Sequence, residues 1–195
     1  MPTITGRQLV ESMKSFNGSI PWRSLVASMV LLDSHDTARM RTVVLGNRDL
    51  HLTAMTLLLT YPGVPSIFAG DEIGLEGTTG EDSRKTINWE DRSSWDMDFL
   101  HEVKKRISIR KSSDSLINGG LRWVLVDDDC LAFLRESKKE TILVFLSRSG
   151  VKAKIDISKL GYQVKESLYG IPASGSAISI NTKKPSQGVW VLERF

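Results

Sequence analysis

Two short apolar runs, Leu25 to Leu32 and Val64 to Ala69, constrain this chain more than anything else in its sequence. The first reads Leu-Val-Ala-Ser-Met-Val-Leu-Leu and does not alternate between apolar and polar residues. A strand of that kind is buried on both faces, as strands of parallel sheets are; its short length favours strand over helix. Asp33-Ser34-His35-Asp36 stops the first run and Gly70-Asp71-Glu72 stops the second. Between them a helix is expected from about Leu50 to Thr60, N-capped by Asp49 and closed by Tyr61-Pro62-Gly63. Leu52, Met55 and Leu59 form one stripe, and Leu57 and Leu58 widen it almost all round, so this helix should pack on more than one side. Strand, helix, strand is a parallel crossover unit, right-handed in nearly all cases. Two buried parallel strands cannot make a sheet alone, because each needs neighbours on both edges and helices on both sides. The segment reads as a slice of a larger α/β layer or barrel.

Further helices flank this unit. Thr5-Gly6-Arg7-Gln8 fits a capping box, with Leu9, Met13 and Phe16 at helical spacing, Val10 widening the stripe, and Asn17-Gly18 as a left-handed stop. Asp96 caps a last helix whose Leu100, Val103 and Ile107 face inward. Its basic cluster, Lys104, Lys105, Arg106, Arg110 and Lys111, complements the helix dipole and is expected to be a solvated face. Gly74 to Arg92 is a polar loop, long enough to be functional or mobile.

From Gly119 onward the pattern changes to short strands with turns between them. Leu121, Trp123 and Leu125 alternate, Asp127-Asp128-Asp129 turns, and Leu131 to Leu134 returns. Further strands are expected at Thr141 to Leu146, Lys152 to Ile157, Gln163 to Leu168, Ala177 to Ile180 and Gly188 to Leu192. That is an antiparallel sandwich or small barrel. The expected division is therefore a barrel segment over residues 1–114 and a β-domain over 115–195, with two parallel strands and three helices in the first part.

Composition narrows the classes. With 41% hydrophobic and 25% charged residues the chain is globular rather than disordered. Its net charge of +3 is too slight to point to nucleic acid or a membrane surface. A single cysteine, Cys130, excludes an intrachain disulfide and a cysteine-rich zinc site, and its place in an expected strand makes it a core thiol. No apolar run is long enough to span a bilayer and no leader precedes Leu9, so a cytoplasmic setting is the expectation.

The polar residues stand where a barrel would use them. His35 and Asp36 follow the first strand, and Asp71 and Glu72 the second; α/β enzymes place their chemistry at the carboxyl ends of parallel strands. On position alone, a turn cap and a functional role are both open for these residues. Leu31-Leu32-Asp33-Ser34-His35-Asp36-Thr37 closely resembles the fourth signature region of the α-amylase family, glycoside hydrolase family 13. Tyr61 to Glu72 (Tyr-Pro-Gly-Val-Pro-Ser-Ile-Phe-Ala-Gly-Asp-Glu) resembles its motif at the eighth barrel strand. The stretch Gly77 to Trp89, with Gly80-Glu81-Asp82-Ser83-Arg84-Lys85 and Asn88-Trp89, is similar to the following loop of cyclomaltodextrinases, neopullulanases and related α-glycosidases.

The resemblance implies that the chain starts at the sixth barrel helix and carries the seventh and eighth strands and the C-terminal β-domain. A retaining glycosidase needs a carboxylate nucleophile and a carboxylic acid flanking one bond. In this family they follow the fourth and fifth strands, which this sequence does not contain. Asp36 matches the third acidic residue, which stabilises the oxocarbenium-like transition state, and His35 the histidine that hydrogen-bonds the same sugar. Asp82 and Arg84 match substrate-binding positions. Arg39 is expected to anchor its loop by a salt bridge, and the Asp71-Glu72 pair to be structural. Trp89 and Trp95 offer either ring stacking or loop packing. The implied substrate is an α-glucan oligosaccharide. No cofactor is expected in this chain, since the family's calcium sites lie mostly in the absent half. The open barrel edge should need a cover, for which a second copy of the chain is one candidate.

Two other classes compete. A non-catalytic carbohydrate-binding module would use Trp123 or Trp190, whose alternative is sandwich core. A metal hydrolase would use His35, Asp36, Asp71 and Glu72, but such sites usually recruit more than one histidine, and His51 and His101 have no ligand spacing to His35.

Overall fold

Residues 4–195 are described by the computed structural model, and the first helix starts where Thr5 requires it. The Gln8 amide donates to the Thr5 hydroxyl at 3.2 Å and the Thr5 amide to Gln8 Oε1 at 2.8 Å, the expected reciprocal cap. Helix α1 runs Gly6–Gly18 with Val10 buried and Phe16 exposed. The left-handed stop expected at Asn17-Gly18 is absent. Ser19 keeps a right-handed conformation and both its amide and its hydroxyl donate to the Phe16 carbonyl, which satisfies the helix end without a glycine turn.

The first apolar run is not one strand. Its first half lies in helix α2 (Trp22–Ala27), where the amides of Ser24 and Leu25 donate to the Pro21 carbonyl, and only Met29–Val30 form strand β1. Pro21 pre-sets the backbone for a helical turn, and an apolar run alone does not tell a turn of helix from a strand. After β1 come α3 (Met40–Val43) and α4 (Arg48–Thr60). Asn47, not Asp49, caps α4: its side-chain oxygen accepts from the Leu50 amide at 3.0 Å, and Asp49 sits within the first turn, where its charge still suits the helix dipole. As expected, α4 is buried on several sides, with His51, Met55, Thr56, Leu58 and Leu59 all inaccessible. Strand β2 (Val64–Pro65) pairs with β1 in parallel, Met29 opposite Val64 and Val30 opposite Pro65.

The long loop contains a short helix, α5 (Gly80–Ser83), and is followed by α6 (Met97–Ser112), which Asp96 caps through the Phe99 amide, and α7 (Asp114–Asn118). The expected solvated basic face of α6 is split. Lys104, Lys105 and Lys111 are exposed, but Arg106 and Arg110 are buried. Arg106 lies 4.4 Å over the Tyr169 ring and donates to Thr56 Oγ1 and to Glu102. Arg110 donates to the carbonyls of Leu59, Tyr61 and Gly63, the acceptors left free where α4 ends. A guanidinium has enough donors to serve such a cluster from within the core. Met55, Leu58, Phe99 and Val103 form the core between α4 and α6, with Val30, Leu32 and Ile67 packed against it.

Seven strands follow: β3 (Gly120–Val126), β4 (Cys130–Glu136), β5 (Thr141–Ser147), β6 (Lys152–Asp156), β7 (Tyr162–Gly170), β8 (Ala177–Asn181) and β9 (Ser186–Arg194). Five make an antiparallel sheet in the order β3-β4-β5-β9-β7, and β6 pairs with β8. The two sheets pack as a sandwich. Along β5, Leu143 and Phe145 face Ile155, Ile178 and Ile180 of the small sheet, while Ile142, Val144 and Leu146 face the helices with Phe133 and Val189. The alternation expected at Leu121, Trp123 and Leu125 is broken by a bulge between Trp123 and Leu125, so Trp123 faces the helices and Leu125 the sandwich. Arg135, fully buried, ties the two parts by donating to the carbonyls of Thr60 at the end of α4 and of Gly119 before β3. Cys130 is buried in β4. The expected division at residues 114 and 115 falls at the start of α7.

Candidate functional site

The loop leaving β1 carries His35 and Asp36, and three neighbours set its shape. The Asp33 side chain, at the loop's start, accepts from the Met40 amide at its end. Arg39, just before α3, is buried with its guanidinium satisfied throughout: Nη1 to Asp71 Oδ1 at 2.8 Å, Nη2 to the Ala69 carbonyl at 3.0 Å, and Nε to the Ser83 carbonyl at 3.0 Å. Phe68 lies under it at 4.1 Å. The expected salt-bridge anchor is therefore present, and it joins the loop after β1, the loop after β2 and α5. Packing leaves no room for slack: a Cβ at Gly80 would stand 3.1 Å from the Asp36 backbone. The Ser83 hydroxyl also donates to the Thr37 carbonyl at 2.6 Å.

On that scaffold His35, Asp36 and Arg84 come together. Arg84 donates through Nε to the His35 carbonyl at 3.0 Å and through Nη2 to Asp36 Oδ1 at 3.1 Å. His35 Nε2 lies 3.3 Å from Asp36 Oδ2. All three side chains are more than half exposed. His35 and Arg84 border a cleft of about 330 Å³ lined further by Phe68, Lys85, Ile87 and Trp89. Trp89 is 63% exposed and meets Trp95 edge to face at 5.5 Å, with Arg92 over the Trp95 ring. The cleft thus combines several N–H donors with an open indole face, and the Asp36 carboxylate stands next to it, held by Arg84. Such a set suits a ligand rich in hydroxyls with flat apolar ring faces.

Asp82 does not join this group. Its carboxylate accepts from the Thr78 amide at 2.7 Å and pairs with Lys85 at 3.2 Å; these contacts, the Thr78 amide foremost, hold it below the usual carboxylate range. Asp71 stays with Arg39, deep under the loops, and Glu72 turns back to the Gly70 amide at 2.7 Å. Burial, with the Asp33 carboxyl beside it, pushes Asp71 up to about 8 against the pull of Arg39. Among the described residues no three His, Cys, Asp or Glu side chains group closely enough to hold a metal ion. His51 is buried against Phe99 in the first turn of α4, and burial and the Arg41 charge lower it to about 3. Trp190 is fully enclosed over Gly188, where a Cβ would meet its ring, and donates to the Ile171 carbonyl; Trp123 packs on Phe133. Neither is an open sugar platform. The sequence reading gave no role to Asp33, Lys85, Ile87 or Phe68. Asp33 stands two residues before His35, and Phe68 two before Gly70, so position at the strand ends was the signal available.

Parallel strands joined through a helix, polar side chains gathered at their carboxyl ends, and a trailing sandwich define the C-terminal part of a (β/α)8 barrel with its β-domain. The family model described as the catalytic domain of alpha-amylase matches residues 2–115. The chain belongs to the α-amylase family, glycoside hydrolase family 13. It is 34% identical over 119 residues to a cyclomaltodextrinase from a Bacillus species, a match covering 60% of this chain and 21% of that protein. It is 32% identical over 133 residues to the intracellular maltogenic amylase of Bacillus subtilis, covering 67% and 22%. The crystal structure of a debranching enzyme from Nostoc punctiforme superposes on 97% of this chain and 39% of its own, with a TM-score of 0.84 and 25% identity. The chain thus spans about a quarter or less of these curated relatives' length.

Proposed function

We propose that this chain supplies the sugar-holding side of an active site that cleaves or transfers α-1,4- or α-1,6-linked glucan oligosaccharides by a retaining mechanism. The observation that carries the reading is the clamped trio of Asp36, His35 and Arg84 at the carboxyl ends of two parallel strands. As positive charge grows on the sugar ring, the Asp36 carboxylate offsets it, and its hydrogen bonds to ring hydroxyls strengthen in the transition state. His35 donates to the same sugar, and Arg84 both holds Asp36 and faces the cleft. Asp82 serves the substrate side by holding Lys85 and the loop that bears Arg84. The nucleophile and the general acid belong to barrel strands outside this sequence, so the chain alone is inactive. Calcium, where the full protein carries it, sits with those strands, and no metal is assigned to this chain.

The exposed apolar edge beside β1 fits that division of labour. Met29 and Val64 are more than half exposed, and Phe16, Leu31 and Tyr61 line an apolar groove of about 480 Å³. In this reading the preceding barrel strands fill the groove, and a second copy of the chain is the competing cover. No helix among the described residues is long and apolar enough to cross a membrane. A cytoplasmic setting is part of the proposal.

The test is turnover of maltoheptaose and cyclodextrins. The purified chain is expected to show none. The polypeptide completed by the coding sequence upstream of Met1 is expected to be active and to lose about a hundredfold or more in kcat in Asp36→Asn. Turnover by the 195-residue chain alone, or full activity of the completed Asp36→Asn variant, would overturn the reading.

A further inference from the structure

Beneath the loop that bears His35 and Asp36 lies a second pair of carboxyl groups with no assigned role. Asp33 and Asp71 are both buried, come from the ends of the two parallel strands, and the Asp33 carboxyl stands beside that of Asp71. Arg39 is the cation that meets them, at 2.8 Å from Asp71 Oδ1. Glu72 is committed to the Gly70 amide, and Arg41 is turned to Asp96 and His51. One Asp33 oxygen accepts from the Met40 amide; the other, Oδ1, is buried without a partner. Two ionised carboxylates in such a place would repel each other and leave an acceptor bare, both costly away from water. A proton between them removes both costs at once: one carboxyl becomes a donor, the bare oxygen becomes its acceptor, and Arg39 balances the single remaining charge.

We infer that Asp33 and Asp71 share one proton, and that this bond makes Asp33 a positioning residue for the His35–Asp36 loop. One Asp33 oxygen staples the two ends of that loop. The other ties it to the loop after β2. Arg39 spans the same two loops, so loss of the proton sets Asp33 against Asp71 while Arg39 holds them together. The positional consequence rests on the reading of Asp36 as a sugar contact; the shared proton does not.

The raised proton affinity of Asp71 gives the test its sign. The folded chain keeps a proton that the unfolded one has released by about pH 5, so this pair's contribution to stability falls as pH rises toward about 8. Below about pH 6.5, His51 contributes a slope of the opposite sign, so the window above it is the informative one. Urea unfolding should show the folding constant dropping by up to about tenfold per pH unit between about pH 6.5 and 8, beyond the change in Asp33→Asn. In that variant the amide oxygen still accepts from Met40 and the amide nitrogen donates to Asp71, so no proton is needed. Equal slopes in the two proteins would overturn the inference. Infrared spectra of the unmodified chain should also show a protonated-carboxyl C=O band at about pH 6.5 that disappears on alkalinisation through about pH 8. That band does not require any variant to fold, and its absence would overturn the inference equally. Asp36→Asn is expected to leave slope and band unchanged, so failure of the glucan reading and failure of this one are told apart.

Discussion

Arginine is the residue type on which this molecule relies most heavily. Arg39 locks the site loops, Arg110 and Arg135 close the end of α4, and Arg106 lies over Tyr169; all four are buried. Charge in the sequence marked Arg106 and Arg110 as a solvated face and Arg39 as an anchor, and Arg135 drew no reading. The carbonyls at the end of α4 that Arg110 and Arg135 serve lie 47 to 75 residues away in the chain, so no local spacing could announce them. Separation along the chain likewise hid the Asp71 carboxyl that stands beside Asp33, whereas His35 and Asp36 were legible because their motif is contiguous. At this scale His51 makes a pH prediction. An unfolded histidine takes up a proton near pH 6.5, but the folded one refuses it until about pH 3, because burial and Arg41 oppose the charge. Stability should therefore fall as pH drops through that range, by up to about tenfold in the folding constant per pH unit, and His51→Leu should flatten this part of the profile in urea titrations.

Elements with local signals were readable and those that depend on neighbours were not. The capping box at Thr5 and Gln8 is self-contained, and α1 begins where it says; Thr5→Ala is expected to cost about 1 kcal/mol, measured by thermal or urea unfolding. The strands of the sandwich were legible from their alternation and turns, apart from the bulge after Trp123, which only the pairing with β4 defines. By contrast, β1 keeps two residues of an eight-residue apolar run, because Pro21 starts a helical turn that takes Leu25 to Ala27. Asn47 took the capping role from Asp49 by two residues, a displacement within the usual uncertainty of helix ends.

For the whole molecule, the central fact is that the five-stranded sheet has no free face. Its two sides carry separate cores, one shared with β6 and β8 and the other with α4, α6 and α7. The β-domain is therefore not independent of the barrel segment. Residues 115–195 expressed alone would bare Phe133, Ile142, Val144 and Val189. That polypeptide is expected to bind a hydrophobic dye and to aggregate in light-scattering assays, while the intact chain does so much less. A dye-silent, monomeric 115–195 would show that the sheet does not need the helices.

The place of β9 in that sheet has a consequence for how the chain is made. Its residues are translated after those of β5 and β7, yet it sits between those two strands rather than at an edge. Until Ser186 to Arg194 emerge, β5 and β7 each present a row of unsatisfied amides and carbonyls to any passing strand. A premature stop codon at Ser186 would leave the sheet without the strand that joins β5 to β7. Quality control in the cell would then meet a three-stranded sheet with an open edge and an unpaired β7.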